Sequence, residues 1–166
     1  MTALRGQTPV VFRPLRRFLW GLTPIVWAVA LIWGCSYSDT VTNVYATKAE
    51  AEQAGAVQAG WVPHGLPESA REFREAHSSQ GGRVWVLFSF SPDDGDALRA
   101  LIDPSEIAAS GLRAEIPARI EWWPLLLRGT LDGEQIKSAG LQLYRSKDGA
   151  LVVIVNWKQG RAYYWK

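Results

Sequence analysis

The sequence predicts an α+β fold: an antiparallel sheet with a C-terminal three-strand meander, two or three short helices, and ahead of them an apolar N-terminal signal or anchor helix. Three observations carry this prediction. Leu141-Gln142-Leu143-Tyr144, Leu151 to Val155 and Ala162 to Trp165 are alternating or β-branched runs separated by the turn sequences Asp148-Gly149 and Lys158-Gln159-Gly160, the spacing of consecutive strands joined by short turns. Val84-Trp85-Val86-Leu87-Phe88-Ser89-Phe90 is apolar at both alternating parities, so it belongs inside a sheet with both faces covered. Phe18 to Gly34 is an apolar run opened by Arg16-Arg17 and closed by the only cysteine, Cys35.

Taken in order, the chain begins with a basic stretch: Arg5, Arg13, Arg16 and Arg17 precede the run, and no acid occurs before Asp39. Arginines stay on the cytoplasmic side while an apolar helix enters the bilayer, so everything after Cys35 is expected outside the cytoplasm. An uncleaved helix gives the same topology, because the run is just long enough to span a hydrocarbon core. The expected organisation is residues 1–35 as signal peptide or anchor, 36–46 as a polar tether, and 47–166 as a single α+β domain.

Within that domain, Thr47-Lys48-Ala49-Glu50 reads as a capping box, the hydroxyl accepting from the third helical amide while the carboxylate reaches back. It opens a helix expected over 47–59, stopped by Gly60. Trp61-Val62-Pro63-His64-Gly65-Leu66-Pro67 is a loop, with Trp61 and Leu66 directed at the core. Ser69 to His77 has helix-favouring residues but only Phe73 as a large apolar one. A strand paired in a hairpin with 84–90 through Ser78-Ser79-Gln80-Gly81-Gly82 is preferred, since tertiary pairing overrides propensity in short pieces. Ser91-Pro92-Asp93-Asp94 starts a helix expected over 92–102, with serine at the cap, proline in the first turn and acids at the positive end of the dipole. Residues 105–121 read as mostly loop, and Trp122 to Leu127 as a short buried helix.

Composition removes several function classes. Four of the 18 basic residues precede the apolar run, so the part after it holds more acids than bases, which argues against a nucleic-acid face. One cysteine allows no internal disulfide. Two histidines, His64 and His77, are too few for a His-rich metal site, and Asp93-Asp94-Gly95-Asp96 lacks the alternating ligands and closing glutamate of a calcium loop. No metal and no cofactor is therefore expected, and no G-x-S-x-G, P-loop, G-x-G-x-x-G or C-x-x-C is present.

The candidate site residues are few. Glu75 and His77 share one face of a strand, a carboxylate beside an imidazole, although polar residues two apart ordinarily mark a solvated face. Of the six tryptophans after the apolar run, Trp85 and Trp157 are expected in strands as core, and Trp61, Trp122 and Trp123 are the candidates for an aromatic platform.

Ile32-Trp33-Gly34-Cys35 resembles the lipobox of bacterial lipoprotein precursors. The resemblance implies cleavage after Gly34, lipidation of Cys35 and a membrane-held mature protein facing the periplasm; Ser36 after the cysteine implies the outer rather than the inner membrane. Gly60-Trp61-Val62-Pro63, Leu66-Pro67-Glu68-Ser69-Ala70 and Asn156 to Trp165 are similar to stretches of small uncharacterised bacterial lipoproteins, a family that implies no activity. The expected function is a membrane-anchored extracytoplasmic lipoprotein acting as a non-catalytic accessory or protein-interaction domain, with a protein partner in the cell envelope. The alternatives are a glycan or small-ligand binder using exposed tryptophans, and a small cell-envelope enzyme.

Overall fold

Six strands line up as β1-β2-β3-β8-β7-β6, every neighbouring pair antiparallel. They are β1 (Thr40–Thr47), β2 (Arg71–Ser78), β3 (Val84–Ser89), β6 (Gln142–Arg145), β7 (Val152–Asn156) and β8 (Arg161–Trp165). The last three are the meander, and β3 joins it to the antiparallel pair of β1 and β2. This is a computed structural model and describes residues 39–166; the apolar run, Cys35 and the start of the expected tether lie outside the described residues. A two-residue ribbon, β4 (Arg113–Ala114) with β5 (Gly129–Thr130), forms apart from the main sheet.

Every residue of β3 is buried, as its unbroken apolar sequence requires of a strand covered on both faces. One face carries Tyr45, Phe73, Val86, Phe88, Val155 and Tyr164 and is covered by Ala51, Val57, Val62, Leu66 and Leu98. The opposite face carries Trp85, Leu87, Ile154, Tyr163 and Trp165 and is covered by Ile120, Trp123, Leu127, Leu131 and Ile136. The sheet thus has two separate apolar layers, one built from residues between β1 and β2 and just after β3, the other from the long passage between β3 and β6.

Three expectations are corrected. The tether expected over 36–46 is, from Thr40 onward, the edge strand β1; its Thr, Val and Tyr residues suit an extended backbone, and an edge strand can expose both parities. The helix expected over 47–59 stops early, as α1 (Lys48–Gln53), because the chain turns through Gly55 at φ +80°. Its capping box does form, Glu50 N donating to Thr47 Oγ1 at 3.2 Å, but the Glu50 carboxylate accepts from Ala46 N at 2.6 Å rather than from the cap residue itself. The helix expected over 92–102 divides into a 3-10 turn (Pro92–Asp94) and α2 (Asp96–Leu101) around Gly95. Asp94 does more than face a helix dipole: its carboxylate accepts from the backbone N and hydroxyl of Ser69, at 2.9 and 2.8 Å.

A third helix, α3 (Gly133–Ser138), was not anticipated; Asp132 caps it by accepting from Glu134 N and Gln135 N. Leu125–Leu127 forms a 3-10 turn where a short helix was expected. Gly160 is needed between β7 and β8, where φ is +63° and an added Cβ would lie 1.9 Å from the Phe90 carbonyl oxygen. That close approach lets Gly160 O accept from Phe90 N at 2.7 Å.

Candidate functional site

In β2 the register against β3 passes from Arg71↔Ser89 to Arg74↔Leu87, so the strand holds one more residue than its partner there. Glu72 takes up this bulge at φ +56°, a conformation uncommon outside glycine, and its carboxylate accepts from Ser89 Oγ at 2.8 Å. Beyond the bulge, Phe73, Glu75 and His77 lie on one face by the two-residue period of the strand. That face is covered by the loop that follows α1. The expected solvated pair is instead enclosed: Glu75 is fully buried and His77 nearly so.

Burying a carboxylate is costly unless its oxygens are satisfied, and both are. Glu75 Oε1 lies 2.8 Å from His77 Nδ1, and Oε2 accepts from Asn43 Nδ2 at 2.7 Å. Asn43 stands directly opposite Glu75 in the β1–β2 register, so the edge strand supplies the second bond. A carboxylate accepts here, which assigns the hydrogen on Nδ1 to His77 as donor. The imidazole is held further by Trp61, stacked on it with ring centroids 3.7 Å apart and planes 12° from parallel. Trp61 is itself fixed from below, its carbonyl accepting from the Tyr164 hydroxyl at 2.7 Å.

Among the described residues no buried side-chain nitrogen or oxygen lacks a partner, and His77 Nε2 has none there. Nε2 is therefore the solvent-reached end of the ring. It opens on a cavity of about 180 Å³ lined by Trp61, His77, Ser78, the Gly81-Gly82 turn, Arg83 and Lys166 among others. Val41 faces His77 across the register and is 43 % exposed on the edge strand, where Val44 is the other exposed large apolar residue. The Ser78 hydroxyl does not serve the imidazole; it donates to Asp39 Oδ2 at 3.1 Å.

The buried charge is felt by its neighbours. The Tyr164 phenol is pushed well above its ordinary range, first by burial and then by the Glu75 charge, and Tyr45 is raised by the same two causes and by Glu50.

The other expected site residues fall elsewhere. Trp123 is core: its indole Nε1 donates to Leu127 O at 2.8 Å, and its ring meets Tyr163 and Trp165 edge-on at 5.8 and 6.2 Å. Trp122 is half-buried and tilted against Trp123. The pair forms no open aromatic platform, and Trp61 alone joins Glu75 and His77. Sequence reasoning missed Asn43 and Tyr164, whose roles depend on strand register. No group of three or more possible metal ligands occurs among the described residues.

A family model of the YbbD head domain matches residues 39–89, from the start of β1 to the end of β3. The chain is similar to such head domains over that stretch, which contains Asn43, Trp61, Glu75, His77 and Arg83. No curated protein and no solved structure matches the chain.

Proposed function

We propose that this chain is a membrane-held, extracytoplasmic accessory lipoprotein that recognises a protein partner through the Trp61–His77 pocket and performs no chemistry of its own. The observation that carries this reading is a fixed, solvent-facing imidazole in a cavity of about 180 Å³. Sites for whole small molecules run to roughly 300–1,000 Å³; this cavity suits one inserted side chain, the size of anchor that dominates protein interfaces. Val41, opposite His77 in the β1–β2 register, adds an exposed apolar residue next to the imidazole's strand position. Against catalysis stands the Ser78 hydroxyl, a potential nucleophile lining the cavity, which is engaged with Asp39 and not with His77.

The membrane part of the proposal rests on the arginine-flanked apolar run and Gly34-Cys35, with lipid on Cys35 as the anchor, the domain facing the periplasm and the outer membrane as destination. Cys35→Ala is expected to release the chain from the membrane fraction; unchanged membrane association would make the apolar helix itself the anchor. The partner is tested in intact cells with a photo-crosslinking residue placed at Val41 or, as control, at Leu125, which is 86 % exposed. One protein captured at Val41, absent at Leu125 and lost in His77→Gln, is the expected result. Equal capture from both positions, or capture indifferent to His77→Gln, would contradict the reading.

A further inference from the structure

Tyr164, whose hydroxyl is committed to the Trp61 carbonyl, also lines a second cavity, of about 240 Å³. Pro63 and Leu66 from the loop after α1, Leu98 and Leu101 from α2, and Leu151 and Val153 at the start of β7 form most of its wall. Leu66, Leu98 and Val153 are buried, Leu101 and Leu151 half-buried, and Ala100, Lys147 and Asp148 exposed, so the cavity opens beside α2 and the β6–β7 turn. Those two elements are fastened to each other: Ile102 and Ser146 form an antiparallel bridge, Lys147 N donates to Leu101 O at 3.0 Å, and Asp103 N donates to Arg145 O at 2.8 Å. The cavity therefore stands between elements held at a fixed spacing.

The polar groups of the wall are committed to one another. The Ser146 hydroxyl donates to Asp148 Oδ1 and accepts from Leu151 N at 2.9 Å, and Asp148 Oδ1 also accepts from Ala150 N at 3.0 Å. A bound water needs two to four polar partners, which a wall of Leu, Ile, Val and Pro side chains does not offer; an apolar guest gains by leaving water and asks for none. At the mouth, Lys147 and Asp148 set one cation beside one anion, so a charged guest finds no net attraction. In size the cavity falls between one of about 150 Å³ that takes benzene and the roughly 300 Å³ at which sites for whole small molecules begin.

We infer that this cavity binds a small, uncharged, apolar molecule somewhat larger than benzene, held between α2, the loop after α1 and the β6–β7 turn. The site is separate from the Trp61–His77 pocket and independent of the protein-interaction reading.

The test uses the full chain in nanodiscs of deuterated zwitterionic lipid, labelled at the methyl groups of Leu, Ile and Val, and follows these signals by NMR as indole, 1-hexanol or hexanoate is added at free concentrations fixed by dialysis. Indole and hexanol should shift the methyls of Leu66, Leu98 and Val153 saturably, while those of Ile120 and Ile136 in the opposite apolar layer do not move. Hexanol should bind about tenfold tighter than hexanoate, and Lys147→Ala should leave that order unchanged. Ala100 is an exposed residue at the rim; Ala100→Leu should weaken indole binding and Ala100→Phe should abolish it, with circular dichroism unchanged in both. Shifts shared equally by Ile120 and Ile136, binding indifferent to both Ala100 variants, or no saturable shift with either uncharged probe overturns the proposal. Hexanoate binding as tightly as hexanol overturns the uncharged assignment. Partner capture at Val41 should persist in Ala100→Phe; its loss there would place the cavity within the partner's footprint and overturn the small-molecule assignment, whereas absence of capture in the wild type contradicts only the protein-interaction reading.

Discussion

The two faces of the sheet are built on opposite terms. On the face toward α3, Trp123 meets Tyr163 and Trp165 edge-on, with Trp85, Ile120, Leu127 and Ile136 around them, and the buried polar residues on that side, Ser89 and Asn156 among them, are uncharged. On the face toward α1, an equally apolar layer of Phe73, Phe88 and Tyr164 is interrupted at one end by Asn43, Glu75 and His77. Apolar packing is the cheaper way to fill such a space, since replacing a buried ion pair by hydrophobic residues is often neutral or stabilising by about 1–4 kcal/mol. The polar end opens on the pocket beside Trp61 and His77. On the function proposed above, stability is concentrated on one face and recognition falls at the margin of the other.

The largest effect expected from this division is on the apolar face. Trp123→Ala should destabilise the domain by about 3–5 kcal/mol in chemical denaturation, while leaving partner capture at Val41 intact under conditions where the variant is folded. A loss of capture without unfolding would move recognition to Trp123. On the polar face, His77→Ala leaves Glu75 buried with Asn43 as its remaining partner and should cost about 3 kcal/mol; His77→Gln, which can still donate to Glu75, should cost about 1 kcal/mol or less. If both substitutions cost the same, the bond to Glu75 is not what holds that side chain.

Alkaline pH sharpens the comparison. Tyr164 and Tyr45 beside Glu75, and Tyr163 on the opposite face, all have phenols raised above the ordinary value, Tyr163 by burial against the opposing charge of Arg161. A phenol raised in the folded state titrates first in the unfolded chain. The stability it contributes is complete below about pH 10 and is lost as pH climbs toward the folded-state value. Unfolding midpoints should therefore be flat up to about pH 10 and fall beyond it. Glu75→Gln removes a charge that raises Tyr164 and Tyr45, so its alkaline decline, scaled to its own stability at neutral pH, should be shallower than that of the wild type; an unchanged slope would mean that burial alone sets these phenols. Trp61→Ala should cost less than His77→Ala, about 1–2 kcal/mol because the ring is only partly buried, although it should reduce capture at Val41 as strongly as His77→Gln.

Much of the sheet was legible because strand period and turn chemistry are local: β3, the meander and the β2–β3 hairpin all follow from residues within a few positions of one another. Edge strand β1 was not, since Thr40 to Thr47 has no apolar alternation and its pairing partner begins at Arg71. The spacing of Glu75 and His77 was visible and their enclosure was not. What covers them is Trp61, held by Tyr164 from a strand 103 positions later in the chain, a contact with no local signal. Trp122 and Trp123 show the same limit in the other direction: neighbours in sequence, one half-exposed and one sealed in the core, sorted by the turn at Pro124 to Leu127 and not by residue type.

The claim that the Asn43–Glu75–His77 cluster serves recognition rather than stability is tested most directly by Glu75→Leu combined with His77→Leu, with stability measured by denaturant unfolding. The account predicts a domain within about 1 kcal/mol of the wild type, or more stable, that no longer captures a partner at Val41. A double variant destabilised by more than about 3 kcal/mol, or one that still captures the partner, would contradict it.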